Sequence, residues 1–148
     1  MKIYISAAMT SILKGTNTEY YLRIQEKINK LSLDLQALSF DVFNPFEIPQ
    51  NNIDKFWDSS PREIYQKEFQ EVLTSDILLA FLDHTSHGVG VELGWADVMR
   101  KIIILIHQKD IKISALVLGL PTVRKVIKTD NVMEIPDISI LNGILQTA

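Results

Sequence analysis

Two stretches of near-continuous hydrophobicity, DILLAFLD (Asp76 to Asp83) and KIIILIH (Lys101 to His107), do most to limit the folds open to this chain. A strand with one wet face alternates apolar and polar side chains. A strand that stays apolar throughout needs cover on both faces, which a parallel sheet flanked by helices provides. Between the two runs lies SHGVGVELGWA (Ser86 to Ala96), which reads as a glycine-bearing opening segment leading into a helix from about Val91 to Arg100.

The rest of the chain repeats this alternation. KIYIS (Lys2 to Ser6) is a short β-prone run followed by the small and polar AAMTSILKGTNT. From Glu19, the residues Tyr21, Ile24, Ile28, Leu31, Leu35 and Leu38 recur at spacings of three and four, the stripe of an amphipathic helix. FDVF is a second strand, ended by Asn44-Pro45, and FEIPQNNIDKFWDSS reads as a loop. Pro61 can open a helix running to about Thr74, capped by Ser59 or Ser60. A short helix at ISALVLGL, a strand at TVRKVIK and a last helix from Pro136 toward Gln146 complete the series. Strands and helices in strict turn imply a five-stranded, doubly wound parallel sheet of the flavodoxin-like kind. In its common order, 2-1-3-4-5, a ligand sits beyond the carboxyl ends of strands one and three. Those ends are SAAMTSILKGT and DHTSHGVGVE.

At 148 residues the chain fits one domain with room for a real core. Its 47% hydrophobic and 22% charged residues are those of an ordinary globular protein. A net charge of -3 offers no broad attraction for nucleic acid or anionic membrane, so an anionic substrate needs local help. The lack of cysteine removes disulfides, thiolate chemistry and cysteine-ligated metals, and His84, His87 and His107 lack metal-site spacing. No metal or cofactor is expected. The N-terminal apolar run is too short for a signal peptide and no stretch reaches membrane-spanning length, so the chain reads as cytoplasmic.

Against that background one acid stands out. Glu92 follows Gly88 and Gly90 at the expected strand-to-helix junction, where unpaired N–H groups and the helix dipole keep a carboxylate ionised. Acids are favoured in first turns for that reason alone. What separates this one is the pair of glycines, which allow close approach by a bound group, and the coincidence with the sheet's ligand crevice. Glu68 is a second candidate, since it borders the apolar stripe of the helix from Pro61 and can either reach water or lean into the same crevice. Two carboxylates flanking one sugar can divide the work of glycosidic cleavage. Tyr4 either packs in the core or hydrogen-bonds Glu92, and Ser86 is either a turn residue or a phosphate contact with Lys14 as a nearby cation. His87 reads as a solvated loop side chain and Trp95 as a packing residue. Neither a dinucleotide-binding G-x-G-x-x-G after the first strand nor a P-loop is present.

KIYISAAMT, DILLAFLDHTSHGVGVELGWA and KIIILI together resemble the nucleoside 2-deoxyribosyltransferase superfamily, whose hallmark is G-x-G-x-E-L-G after the third strand. The likeness runs from Lys2 to about Ile127 and is weakest between Asn44 and Arg62. Within the superfamily it is greatest to the 2′-deoxynucleoside 5′-phosphate N-hydrolases and nucleoside-monophosphate glycosidases. The resemblance implies that Glu92 is the catalytic carboxylate at the anomeric carbon and that Tyr4 orients it. It implies that Ser86 touches the 5′-phosphate, where transferases acting on unphosphorylated nucleosides tend to carry an acid. ISALVLG resembles a segment that lends a phosphate-binding serine to the neighbouring subunit, which places Ser114 in that role and implies a homodimer or larger homo-oligomer. The family's aspartate falls at Glu68, one methylene longer, and its arginine-bearing loop at SAAMTSILKGT.

The expected reaction is therefore hydrolysis of the base–sugar bond of a nucleoside 5′-monophosphate, with an ionised, low-pKa Glu92 and a raised, protonating Glu68. Ser6, the stretch Ala7, Ala8, Met9 and Thr10, and Gly88 and Gly90 would join Ser86 and Ser114 in binding substrate. Base exchange by a deoxyribosyltransferase and a non-catalytic nucleotide-binding module are the alternatives.

Overall fold

The computed structural model describes residues 1–9, 18–47, 59–136 and 138–146. Its five strands, β1 (Lys2–Ser6), β2 (Asp41–Phe43), β3 (Ile77–Phe81), β4 (Ile102–Gln108) and β5 (Val123–Thr129), form one parallel sheet in the order β2-β1-β3-β4-β5. This is the doubly wound α/β arrangement that the alternation implies. The helices are α1 (Thr18–Ala37), α2 (Pro61–Thr74), α3 (His87–Val98), α4 (Ala115–Leu118) and α5 (Ile138–Gln146). Among the described residues no helix is long and apolar enough to cross a membrane.

Side chains alternate across a strand, so each central strand feeds two separate cores. On one face Ile3, Ile5, Ile77, Leu79, Ile104 and Ile106 pack beneath α1 and α5, meeting Ile24, Ile28, Leu31, Leu35 and Leu141. On the other, Tyr4, Leu78, Ala80, Ile103 and Leu105 pack beneath α2 and α3 against Val72, Val89, Leu93 and Ala96. The stripe on α1 is the one its spacing predicts, with one exception. Leu38 lies past the last turn, where Ser39 takes a left-handed φ of 67°, and it is exposed.

Local signals explain most boundaries. α2 begins where Pro61 sits at its first position and Ser60 caps it, the Ser60 side chain accepting from the Glu63 backbone while Glu63 reaches back to Ser60. The helix after β3 departs from expectation. It starts at His87 rather than near Val91, capped by Ser86, whose Oγ accepts from the Val89 amide at 3.3 Å. Gly88 and Gly90 are thus helical residues with ordinary negative φ, and Glu92 lies in the second turn. The serine cap outweighed the helix-weakening glycines. The loop reading after β2 begins instead with a 3₁₀ turn, Pro45–Glu47, burying Pro45 and Phe46. Its remainder from 48 to 58 lies outside the described residues.

Candidate active site

β1 runs through the middle of the sheet and ends beside β3, with Tyr4 level with Leu78 and Ser6 level with Ala80. Residues two apart on a strand face the same way, so Tyr4 and Ser6 both point toward α2 and α3. Each carries a hydroxyl into an otherwise apolar layer, and each hydroxyl finds a carboxylate. Tyr4 Oη donates to Glu68 Oε2 on α2, and Ser6 Oγ donates to Glu92 Oε2 on α3. One strand thereby supplies a separate donor to each of two acids from different helices. Burying a carboxylate is costly unless it is hydrogen-bonded, and these two donors answer that cost. The Tyr4 ring is held flat against Phe43, the residue paired with it on β2, with centroids 5.0 Å apart.

Electrostatics correct one expectation. Burial pushes the Glu92 carboxyl up to about 7, opposed by the hydrogen bond from Ser6 and, to a lesser degree, one from Tyr4, and reinforced by the negative charge of Glu68. The low pKa expected of a first-turn acid is therefore absent. Position explains this, because α3 begins five residues earlier and removes Glu92 from the helix's positive end. Glu68 is also raised, by burial first, with the Tyr4 hydrogen bond and the charge of Lys67 working the other way. The Tyr4 hydroxyl is pushed far above its ordinary value by burial and by the charges of Glu92 and Glu68. It remains a donor at every accessible pH, within the electrostatic reach of both acids, although its short bond goes to Glu68 rather than Glu92.

The two acids open onto one cavity of about 180 Å³, whose lining includes Tyr4, Ser6, Ala7, Met9, Glu68, Ser86, Gly88 and Glu92. Eight residues singled out from the sequence thus meet in one place. Ile5, Pro45, Ile64 and Val89 also line it and were not anticipated. Ile64 was legible in principle, standing one helical turn before Glu68 on α2. Tyr65, one turn before Phe69 on α2, lies exposed, with its ring stacked on Phe69 and edge-on to Trp95. Trp95 packs as expected. Gly88 leaves room where its absent Cβ would come within 3.9 Å of Glu92 Oε1 and 3.6 Å of Ser86 Oγ.

Other candidates fall elsewhere. Gly90 and Ser114 line a neighbouring hollow of about 220 Å³ together with His84, Thr85 and Lys112, and Ser86 and Val89 stand on the boundary of both. Ser114 is exposed and caps α4, accepting from the Leu116 amide at 3.3 Å. Ala8 is buried beside the cavity without lining it. Thr10 and Lys14 lie outside the described residues. His87 is exposed, as expected, whereas His107 is buried with Nδ1 2.6 Å from the Gln108 carbonyl. Among the described residues no group of histidine and acidic side chains is placed to hold a metal ion.

Comparison with known proteins agrees with this architecture. The profile of a family described as nucleoside 2-deoxyribosyltransferase matches residues 14–133. Among solved structures, the CMP N-glycosidase BcmB of Clostridium botulinum superposes with a TM-score of 0.65 at 21% identity, covering 100% of both chains. A conserved protein from Enterococcus faecalis gives 0.66 at 18% identity, over 100% of this chain and 99% of the other. A 2-deoxyribosyltransferase from Bacillus psychrosaccharolyticus gives 0.61 at 17%, covering 95% and 96%. At these identities the structural likeness establishes the fold. No curated protein matches the sequence.

Proposed function

The chain belongs to the nucleoside 2-deoxyribosyltransferase family, and on that premise we propose that it hydrolyses the N-glycosidic bond of a nucleoside 5′-monophosphate. The observation that carries this reading is the pair of half-buried acids, Glu68 and Glu92, opening onto one cavity at the carboxyl ends of β1 and β3. As the base leaves, the anomeric carbon gains positive charge. Ionised Glu92 stabilises that charge or bonds to the carbon, and water then releases the sugar 5-phosphate. Glu68, whose burial favours its protonated form, gives its proton to the departing base. Tyr4 holds Glu68 in place for that transfer.

Hydrolysis of a phosphorylated substrate is favoured by two points. Ser86, in the cavity lining, is a neutral hydroxyl at the N-terminus of α3, where the unpaired amides and the positive end of the helix dipole favour a bound anion. The structural relative aligned over the whole of both chains is itself a CMP N-glycosidase. Ser86, the backbone from Ala7 to Thr10, and Ser114 from an adjoining copy of a homo-oligomer are assigned to the phosphate. Base exchange remains the second reading, favoured by the deoxyribosyltransferase of the same fold.

A chromatographic screen of the common ribo- and deoxyribonucleoside monophosphates, alongside the nucleosides, tests the proposal. Free base and sugar 5-phosphate in equal amounts are expected from at least one monophosphate. Adding a second free base to a deoxynucleoside separates the readings, because a new nucleoside identifies a transferase. Calorimetric binding of a monophosphate with no base released over hours, and no new nucleoside formed from a deoxynucleoside and a second base, would contradict both.

A further inference from the structure

The proposed reaction leaves Ser6 without a task, although it is among the most constrained polar side chains in the cavity. It is 1% exposed, its backbone is paired to Ala80 in the centre of the sheet, and its side chain has a single rotatable bond to place the hydroxyl. That hydroxyl has one proton, and the proton is given to Glu92 Oε2. A substrate phosphate could take it only by stripping Oε2 of that donor, since the Tyr4 hydroxyl gives its short bond to Glu68 and only a lesser one to Glu92. Ser6 therefore serves the acid rather than the ligand.

The two oxygens of Glu92 are made unequal by this contact. Oε2 is tied to β1, whereas Oε1 lies on the side of Gly88, 3.9 Å from where a Cβ would stand, in the cavity lining. We propose that Ser6 is a positioning residue that fixes the Glu92 carboxylate through Oε2, so that Oε1, beside the gap left by Gly88, is the oxygen presented to the anomeric carbon. This rests on the reading of Glu92 as the acid that meets the sugar. A carboxylate anchored by one oxygen cannot rotate to exchange the two, so the reacting atom is defined before substrate arrives. The donated bond also favours the anion, offsetting part of the effect of burial.

The test combines kinetics with a titration that needs no turnover. Carbon-13 spectra of glutamate-labelled protein follow the Glu92 carboxyl against pH, its signal assigned by its loss in Glu92→Gln. In Ser6→Ala the Glu92 midpoint rises by about one to two pH units, and the acid limb of kcat/KM moves with it. At the optimum, kcat falls roughly 10- to 100-fold with KM nearly unchanged. Ser6→Cys, a weaker donor of similar size, falls between and covers the case in which the alanine variant does not fold. Gly88→Ala, whose added methyl makes only ordinary contacts with the protein, lowers kcat/KM while the Glu92 titration stays within a few tenths of a unit. A folded Ser6→Ala protein with wild-type midpoint and wild-type kcat overturns the inference. If the wild-type protein releases no base from any nucleotide, the glycosidase reading falls and takes the reacting role of Oε1 with it, while the titration separately reports whether Ser6 holds Glu92.

Discussion

The two faces of the sheet are built from the same strands and do different work. Under α1 and α5, β1 contributes Ile3 and Ile5 to a closed apolar layer. Under α2 and α3, the intervening residues Tyr4 and Ser6 carry hydroxyls to Glu68 and Glu92 and leave a cavity beside them. Moving one residue along the strand switches from core to site. The closed face supplies the rigidity that places β1, and the open face uses that rigidity to aim two acids. A site built on a central strand is held more closely than one built on a loop, which suits chemistry that depends on where an oxygen lies.

If the faces are divided in this way, substitutions on each should separate activity from stability. The largest effect is expected from Glu92→Ala on the open face. Base release should fall at least about 1,000-fold, as for loss of a group that meets developing charge, while the melting temperature stays at or above that of the wild type. Chromatographic rates beside a thermal melt check both halves. Next comes Ile3→Ala on the closed face, a fully buried position away from the cavity, where truncation costs about 2–5 kcal/mol by denaturant unfolding. The folded fraction, assayed well below its melt, should keep its turnover within a few-fold.

A smaller effect concerns the cost of keeping Glu92 charged. Its folded pKa of about 7 lies above the ordinary 4.5, so the folded protein holds this proton more tightly than the unfolded chain. The stabilising contribution is complete below pH 4.5 and is lost as pH rises through about 7. Glu92→Gln escapes that loss. It should gain on the wild type across this window, by up to about 3 kcal/mol above pH 7, and show no comparable gain at pH 4. Urea unfolding at three pH values measures it. The smallest change is expected from Tyr4→Phe, which keeps the stack on Phe43 but removes the donor to Glu68. A loss of roughly 1–2 kcal/mol in kcat, with the Glu68 titration moving upward, sharpens the division between the two hydroxyls.

How much of this was legible in the sequence follows from the range of each signal. The buried runs at β3 and β4, the stripe on α1 and the proline-opened α2 are local patterns, their alternation implied a parallel sheet, and the observed strand order is the common one for such a fold. The start of α3 was misplaced because Gly88 and Gly90 read as loop, whereas the cap at Ser86 decided the matter. That shift of one turn also removed the argument for a low pKa at Glu92, because burial dominates once the helix end is distant. Glu68 and Glu92 were recognisable as candidates, but their partners were not. Tyr4 and Glu68 are 64 residues apart and Ser6 and Glu92 are 86 apart, and only the β1–β3 register and the packing of α2 and α3 decide which hydroxyl meets which acid. Pro45 and Val89 reach the cavity through tertiary packing alone.

A crystal structure of the Glu92→Gln variant soaked with an uncleaved nucleoside 5′-monophosphate puts the division of faces to its most direct test. The anomeric carbon should lie about 3–3.5 Å from the side-chain atom that replaces Glu92 Oε1, with the base toward Glu68 and the phosphate toward Ser86 and the start of α3. A nucleotide seated with its phosphate against the two acids, or with its sugar in the neighbouring hollow away from position 92, would contradict the account.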